Sequence, residues 1–159
     1  KYTRKDKLAI AGGSNGGLLV GAAMTQRPDL FGAVICSVPL LDMVRYDKFL
    51  VARYWIPEYG SASDPKQFPY IFKYSPYHRV EKGAKYPAVM FVSGDADTRV
   101  DPLHARKMAA MMQASTGWDK PVLLHYDTKA GHSSGLPVDR QAENLADEIA
   151  FLTLALGLN

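Results

Sequence analysis

Ser14 lies within the run Gly12-Gly13-Ser14-Asn15-Gly16-Gly17. A serine hydroxyl is a weak nucleophile until a base takes its proton, and the usual base is a histidine whose ring a carboxylate orients. The chain holds four histidines, His78, His104, His125 and His132, and three closely spaced carboxylates, Asp95, Asp97 and Asp101. Together these residue types could carry out acyl transfer: attack on a carbonyl, a covalent acyl intermediate, and its hydrolysis.

The setting of Ser14 suits that chemistry. Gly12-Gly13-Ser14-Asn15-Gly16 fits G-x-S-x-G, with an apolar run at 8–11 before it and another at 18–20 after it. Strand, sharp glycine turn and helix make a nucleophile elbow, a strained turn that projects the hydroxyl and needs tiny neighbours where backbone passes close. Two other readings are open at this point, a glycine-rich turn with an incidental serine and a phosphate-binding loop. The phosphate loop needs G-x-x-x-x-G-K-[ST] or G-x-G-x-x-G, and neither is met.

The elements that must position these residues follow from pattern. Residues 7–11 read as a strand and 15–26 as a helix, stopped by Arg27-Pro28-Asp29. Residues 31–38 are a nearly continuous apolar run, the mark of a strand buried on both faces, and Pro39 closes it. Residues 40–86 are rich in proline and aromatics, which predicts one or two short helices and packed loops over the strand ends. A third strand spans 87–93, followed by a loop at 94–100. A helix capped by Asp101, with Pro102 in its first turn, then runs to about Ser115, where Gly117 ends it. A fourth strand spans 122–126 and a polar loop 127–137. A last helix, 138–156, has Ala142, Leu145, Ile149, Leu152 and Leu156 at helical spacing. Strands alternating with helices predict an α/β fold with a mostly parallel sheet of about four strands, flanked by helices joined in right-handed crossovers.

In such a sheet Ser14, Asp97 and His132 each follow a strand, so all three fall on the carboxyl edge, where sites form. Their chain order, Ser, Asp, His, is that of α/β-hydrolases and differs from the chymotrypsin and subtilisin orders. The chemistry then assigns Ser14 as nucleophile, His132 as base and later acid, and Asp97 as the group that fixes the imidazole. The Asn15 backbone N–H, at the start of a helix, can donate to the oxyanion. On spacing alone Asp95 serves as well as Asp97. His104 reads as a surface or supporting residue of its helix, His125 as a core or edge histidine, and His78 as structural. A calcium loop through Asp95, Asp97 and Asp101 would need an oxygen ligand where Arg99 stands, so no metal is expected.

Composition adds exclusions. The 159 residues suit one domain with a substantial core, and 47% hydrophobic with 22% charged residues are globular values. A net charge of +3 with no basic stripe gives no reason to expect nucleic acid. The basic start, 1–7, reads as a solvated entry to the first strand. The single cysteine, Cys36, excludes an internal disulfide and reads as a small buried hydrophobe. No apolar run approaches the ~18 residues of a membrane span, and no signal peptide is evident. A soluble protein of the cytoplasm or periplasm is the expectation.

The motifs together resemble the prolyl oligopeptidase family of serine peptidases. They are Gly12-Gly13-Ser14-Asn15-Gly16-Gly17, Gln26-Arg27-Pro28-Asp29-Leu30-Phe31, Lys73-Tyr74-Ser75-Pro76, Asp97-Thr98-Arg99-Val100 and Asp127-Thr128-Lys129-Ala130-Gly131-His132. They cover almost the whole chain, and asparagine after the serine favours the prolyl oligopeptidase branch. The resemblance implies hydrolysis of short peptides after proline, with no cofactor, through Ser14, Asp97 and His132, and it places the acid at Asp97 and not Asp95. It further implies that Arg99 holds a substrate carbonyl and Trp55 stacks on the prolyl ring, with Tyr59, Leu40, Val51 and Val100 as pocket wall.

The same resemblance implies missing parts. The family's hydrolase domain begins with further strands and helices and is joined to a β-propeller, so this chain reads as the C-terminal portion of an α/β-hydrolase domain. The family's second oxyanion donor, a tyrosine side chain, comes from the portion not represented. The elbow strand, central in that fold, would here be an exposed apolar edge. A homodimer covering that edge, or a longer enzyme of which this is a fragment, is expected. The alternatives to a peptidase are a truncated esterase acting on small esters with relaxed specificity, and a fragment inert without its other half.

Overall fold

Successive apolar residues on β2 (Ala33–Ser37) face opposite sides of the sheet, and both sides are covered. In the computed structural model, which describes residues 2–132 and 136–158, this strand pairs with β1 (Ala9–Gly13) and with β3 (Ala88–Gly94), and β3 pairs with β4 (Val122–Asp127). All pairings are parallel, in the order β1-β2-β3-β4. The expected α/β class and strand count are therefore found.

On one face α1 (Asn15–Gln26) and a helix at Leu103–Ser115 enclose a core of Val20, Met24, Val34, Cys36, Phe91, Met108 and Met112. On the other face the last helix, Val138–Leu156, sets Phe151 and Leu156 against Ala33, Ile35, Ala88 and Met90. Truncating a fully buried Phe91 or Met108 to alanine would cost about 2–5 kcal/mol. Cys36 is buried as expected, its thiol donating to the Gly17 carbonyl at 3.3 Å, and burial pushes that thiol up.

Between β2 and β3 lie α2 (Ile56–Tyr59), α3 (Phe68–Tyr74) and three 3-10 turns, Tyr46–Lys48, Ala52–Trp55 and Pro76–Arg79. They enclose a second core of Leu18, Leu40, Met43, Tyr46, Ala52, Ile71 and Val100, against which Trp55 and Tyr59 pack. The helices after β3 and β4 are α4 (Leu103–Ser115) and α5 (Val138–Leu156). Asp101 caps α4 as expected, its carboxylate accepting from the Leu103 N–H at 2.9 Å.

Three expectations are corrected. The first strand is Ala9–Gly13 and not 7–11: the two glycines read as turn still pair, Gly12 with Cys36 and Gly13 with Ser37. The α5 residues Ala142, Leu145 and Ile149 are exposed, while Phe151, Leu152 and Leu156 in its C-terminal turns meet the sheet. His104 is buried, 1% exposed. The basic start is exposed at residues 2–6 as expected, and Lys7 turns inward to donate to the carbonyls of Leu156 and Gly157 at the end of α5. Of the expected loop 127–137, residues 133–135 lie outside the described residues.

β1 pairs on one side alone, so its outer flank is an open edge among the described residues, with Ala11 and Gly13 exposed. No helix among the described residues is long and apolar enough to cross a membrane.

Candidate active site

Because all four strands run the same way, the residues that follow β1, β3 and β4 gather at one edge. Ser14 follows Gly13 directly and adopts φ 57°, ψ −118°, a strained conformation for a residue with a side chain. The turn is held by Ser14 N–H donating to the Ser37 carbonyl at 2.9 Å, and by Leu18 N–H donating back to Ser14 O at 3.1 Å. Gly12 is required by close approach: a Cβ there would lie 2.3 Å from the Gly16 carbonyl oxygen. The strain carries Ser14 Oγ out beyond the strand end, toward the loops after β3 and β4.

Those two loops are joined by backbone. Ala96 N–H donates to the Ala130 carbonyl at 3.0 Å, and a Cβ on Gly94 would lie 2.2 Å from that same oxygen. Asp97 is 3% exposed. Its Oδ1 accepts from the backbone N–H groups of Arg99 and Val100, each at 2.9 Å, which leaves Oδ2 for the His132 ring. His132 Nδ1 lies 2.8 Å from Asp97 Oδ2, and His132 Nε2 lies 2.9 Å from Ser14 Oγ. A carboxylate can only accept, so Nδ1 carries the proton and Nε2 is free to accept from the serine hydroxyl. The arrangement can move that proton to Nε2 and stabilise the imidazolium beside a buried carboxylate. Asp95, the alternative on spacing, instead accepts from the Tyr126 hydroxyl at 2.6 Å.

Asn15 begins α1, and its N–H has no acceptor among the described residues. The helix dipole adds to its positive character. Beside it, Ser14, Asn15, Leu40, Trp55, Glu58, Tyr59 and Arg99 line a cavity of about 120 Å³. The Arg99 guanidinium sits 5.8 Å from the Trp55 ring centroid and makes no ion pair with a carboxylate among the described residues. Two pocket residues named from the sequence sit elsewhere. Val100 is buried in the core behind the wall, and Val51, 39% exposed at the head of the Ala52–Trp55 turn, does not line the cavity. A larger cavity, about 540 Å³, lies at the opposite ends of the strands between Lys5, Phe31 and Trp118, and none of the candidate residues reaches it.

Leu40 reaches the cavity by way of a second strained residue. Val38 has φ 39°, an outlier for a β-branched side chain, and its N–H donates to the Val92 carbonyl at 2.7 Å. The segment is then anchored from beneath. His104 Nδ1 accepts from the N–H groups of Leu41 at 3.3 Å and Asp42 at 3.1 Å. Burial drives the His104 ring down to about 4, so it stays neutral and can accept. Asp42, fully buried, is paired with Arg45 at 2.8 Å and with Lys107. Burial alone would raise this carboxyl, but Lys107, His78 and Arg45 outweigh it and hold Asp42 below its ordinary range.

Sequence reasoning did not pick out Glu58 or Val38, and it left His104 open between a surface and a supporting role. Glu58 was within reach, since it stands three residues after Trp55 and one before Tyr59 on a short helical turn. The strain at Val38 and the backbone partners of His104, more than sixty residues away in the chain, leave no local mark.

The model of the Prolyl oligopeptidase family matches residues 1–159. A prolyl endopeptidase of Elizabethkingia miricola is 43% identical over 99% of this chain and 22% of its own length. Prolyl oligopeptidase A of Amanita bisporigera is 41% identical over 99% of this chain and 21% of its own. A solved structure from a structural and mechanistic study of two prolyl endopeptidases superposes with TM-score 0.98 at 52% identity, covering 100% of this chain and 24% of that one. Prolyl oligopeptidase B from Galerina marginata, bound to a 35mer hydrolysis and macrocyclization substrate, superposes with TM-score 0.94 at 36% identity, covering 100% and 23%. The chain thus spans less than a quarter of the length of these relatives.

Proposed function

This chain belongs to the prolyl oligopeptidase family, and from that membership we propose that it carries a serine hydrolase site that cleaves short peptides on the carboxyl side of proline. The observation that carries the reading is the unbroken run from Ser14 Oγ to His132 Nε2 at 2.9 Å and from His132 Nδ1 to Asp97 Oδ2 at 2.8 Å, opening beside the Trp55 cavity.

In the proposed reaction Ser14 Oγ attacks the carbonyl carbon of the prolyl residue while His132 Nε2 takes the hydroxyl proton. The Asn15 N–H donates to the resulting oxyanion. Collapse breaks the C–N bond, Nε2 returns its proton to the leaving amine, and a prolyl ester of Ser14 remains. Water, deprotonated by the same nitrogen, hydrolyses that ester. The prolyl ring would lie against the Trp55 indole, a flat apolar surface. Arg99, charged and without a carboxylate partner among the described residues, would donate to a carbonyl ahead of the prolyl residue.

One observation favours a second reading. Among the described residues the elbow offers the Asn15 N–H to the oxyanion, and one missing donor costs about 10²–10³ in rate. A site so equipped would turn over activated small esters more readily than amides. The test compares a proline-containing chromogenic peptide with a short-chain nitrophenyl ester, using Ser14→Ala as control. Peptide turnover that Ser14→Ala abolishes supports the peptidase, and ester turnover alone supports the esterase. No turnover of either contradicts both and leaves an inert fragment.

A further inference from the structure

We propose that Tyr59 is a positioning residue for the oxyanion site: its phenol holds the Asn15 side chain and so ties occupancy of the Trp55 cavity to the N–H that faces the reacting carbonyl. This rests on the hydrolase reading above. Tyr59 Oη donates to Asn15 Oδ1 at 2.9 Å, a contact between residues 44 apart in the chain. It joins the helical turn that carries the cavity wall to the first residue of α1.

The phenol is itself held. Its ring meets Tyr46 edge-on, centroids 5.6 Å apart at 88°. Tyr46 is fully buried and donates its hydroxyl proton to the Gly60 carbonyl, just past Tyr59. Gly60 has φ 78°, a conformation that lets the chain turn sharply there. Burial first, and the neighbouring Glu58 carboxylate next, raise the Tyr59 phenol above its ordinary value, so it remains a donor through the neutral range.

The clamp acts on Asn15 from outside its own helix. The peptide that joins the strained Ser14 to Asn15 has its carbonyl held by the Leu18 N–H at 3.1 Å, and the Tyr59 phenol adds a second hold from the side-chain end of Asn15. Restricting the Asn15 side chain restricts that peptide and with it the direction of its N–H. A ring entering the cavity presses on Tyr59, and the pressure reaches the oxyanion donor through one hydrogen bond. Tyr59 is thus more than the wall that the sequence reading assigned.

Tyr59→Phe keeps the ring and the wall and removes the hydroxyl. Three readouts apply: the rate at which a fluorophosphonate modifies Ser14, kcat and KM on a prolyl chromogenic peptide, and hydrogen exchange of the Asn15 backbone amide by NMR. The phosphonylation rate and kcat should fall about 3- to 10-fold, the worth of one net hydrogen bond. KM should stay within about twofold, and the Asn15 amide should exchange faster. Asn15→Ala should give the same losses, and the double variant should be no worse than either single. Additive losses, a loss confined to KM, or an unchanged Asn15 amide would overturn the proposal. Wild-type chain that takes up no fluorophosphonate would sink the hydrolase reading, while the amide comparison, which needs no turnover, would still decide the clamp.

Discussion

Lowering the pH from about 7.5 to about 5 pushes a proton onto a ring that the fold uses only as an acceptor. His104 Nδ1 takes the N–H groups of Leu41 and Asp42, and its pKa is depressed from 6.5 to about 4. Burial is the chief cause; Lys107 acts in the same direction, while Asp42 and Asp101 oppose it. Because the folded value lies below the unfolded one, the neutral ring's contribution is complete above pH 6.5 and drains away as the pH falls toward 4. The full loss is about 3 kcal/mol, of which about 2 kcal/mol is gone by pH 5. His78 is also depressed, mainly by burial, and titrates in the same sense, so a subtractive control is needed. His104→Asn offers an amide oxygen where Nδ1 stood and does not titrate. Urea unfolding of both proteins across this range should show the wild type losing about 2 kcal/mol more than the variant by pH 5, close to a 1 M difference in midpoint. A gap between the two proteins that does not change with pH would refute the buried-acceptor account.

Further outcomes follow from the same geometry. Trp55→Ala should reduce turnover of proline substrates far more than that of a small nitrophenyl ester, and equal losses on both would contradict a stacking role. Gly12→Ala drives a Cβ to 2.3 Å from the Gly16 carbonyl oxygen, so it should unseat the elbow and cost about 1–3 kcal/mol of stability by thermal or urea unfolding. A variant with wild-type stability and activity would show that the turn has room it does not display. The open flank of β1 is proposed to be covered, by a second copy when this chain is isolated or by further chain in a protein of the relatives' length. Light scattering should then report the mass of two chains, and a monodisperse, fully active monomer would contradict the proposal.

Much of this architecture was legible because it follows from local pattern. The continuous apolar run of β2 announced a strand covered on both faces, and Arg27-Pro28-Asp29 ended α1 where its backbone demanded. The residues at the edge were legible because each follows a strand and the sheet is parallel, which is why Ser14, Asp97 and His132 meet. The errors have physical causes. Gly12 and Gly13 looked like turn, yet an elbow keeps its strand paired up to the nucleophile position. In α5, Leu145 and Ile149 share the apolar stripe of Leu152 and Leu156, yet the residues that meet the sheet lie in the C-terminal turns, and periodicity does not say how far along a helix its partner reaches. The burial of His104 depends on backbone amides far away in the chain. Val51 and Val100 lie outside the lining of the Trp55 cavity, Val51 exposed and Val100 buried.

The central claim is that Ser14, His132 and Asp97 form one unit that activates Ser14 for acyl transfer. It is tested most directly by treating the intact chain with a fluorophosphonate and locating the adduct by mass spectrometry, alongside His132→Ala. The account predicts a single adduct on the peptide containing Ser14, formed orders of magnitude more slowly in the variant. No adduct, an adduct on another residue, or equal rates in the two proteins would contradict it.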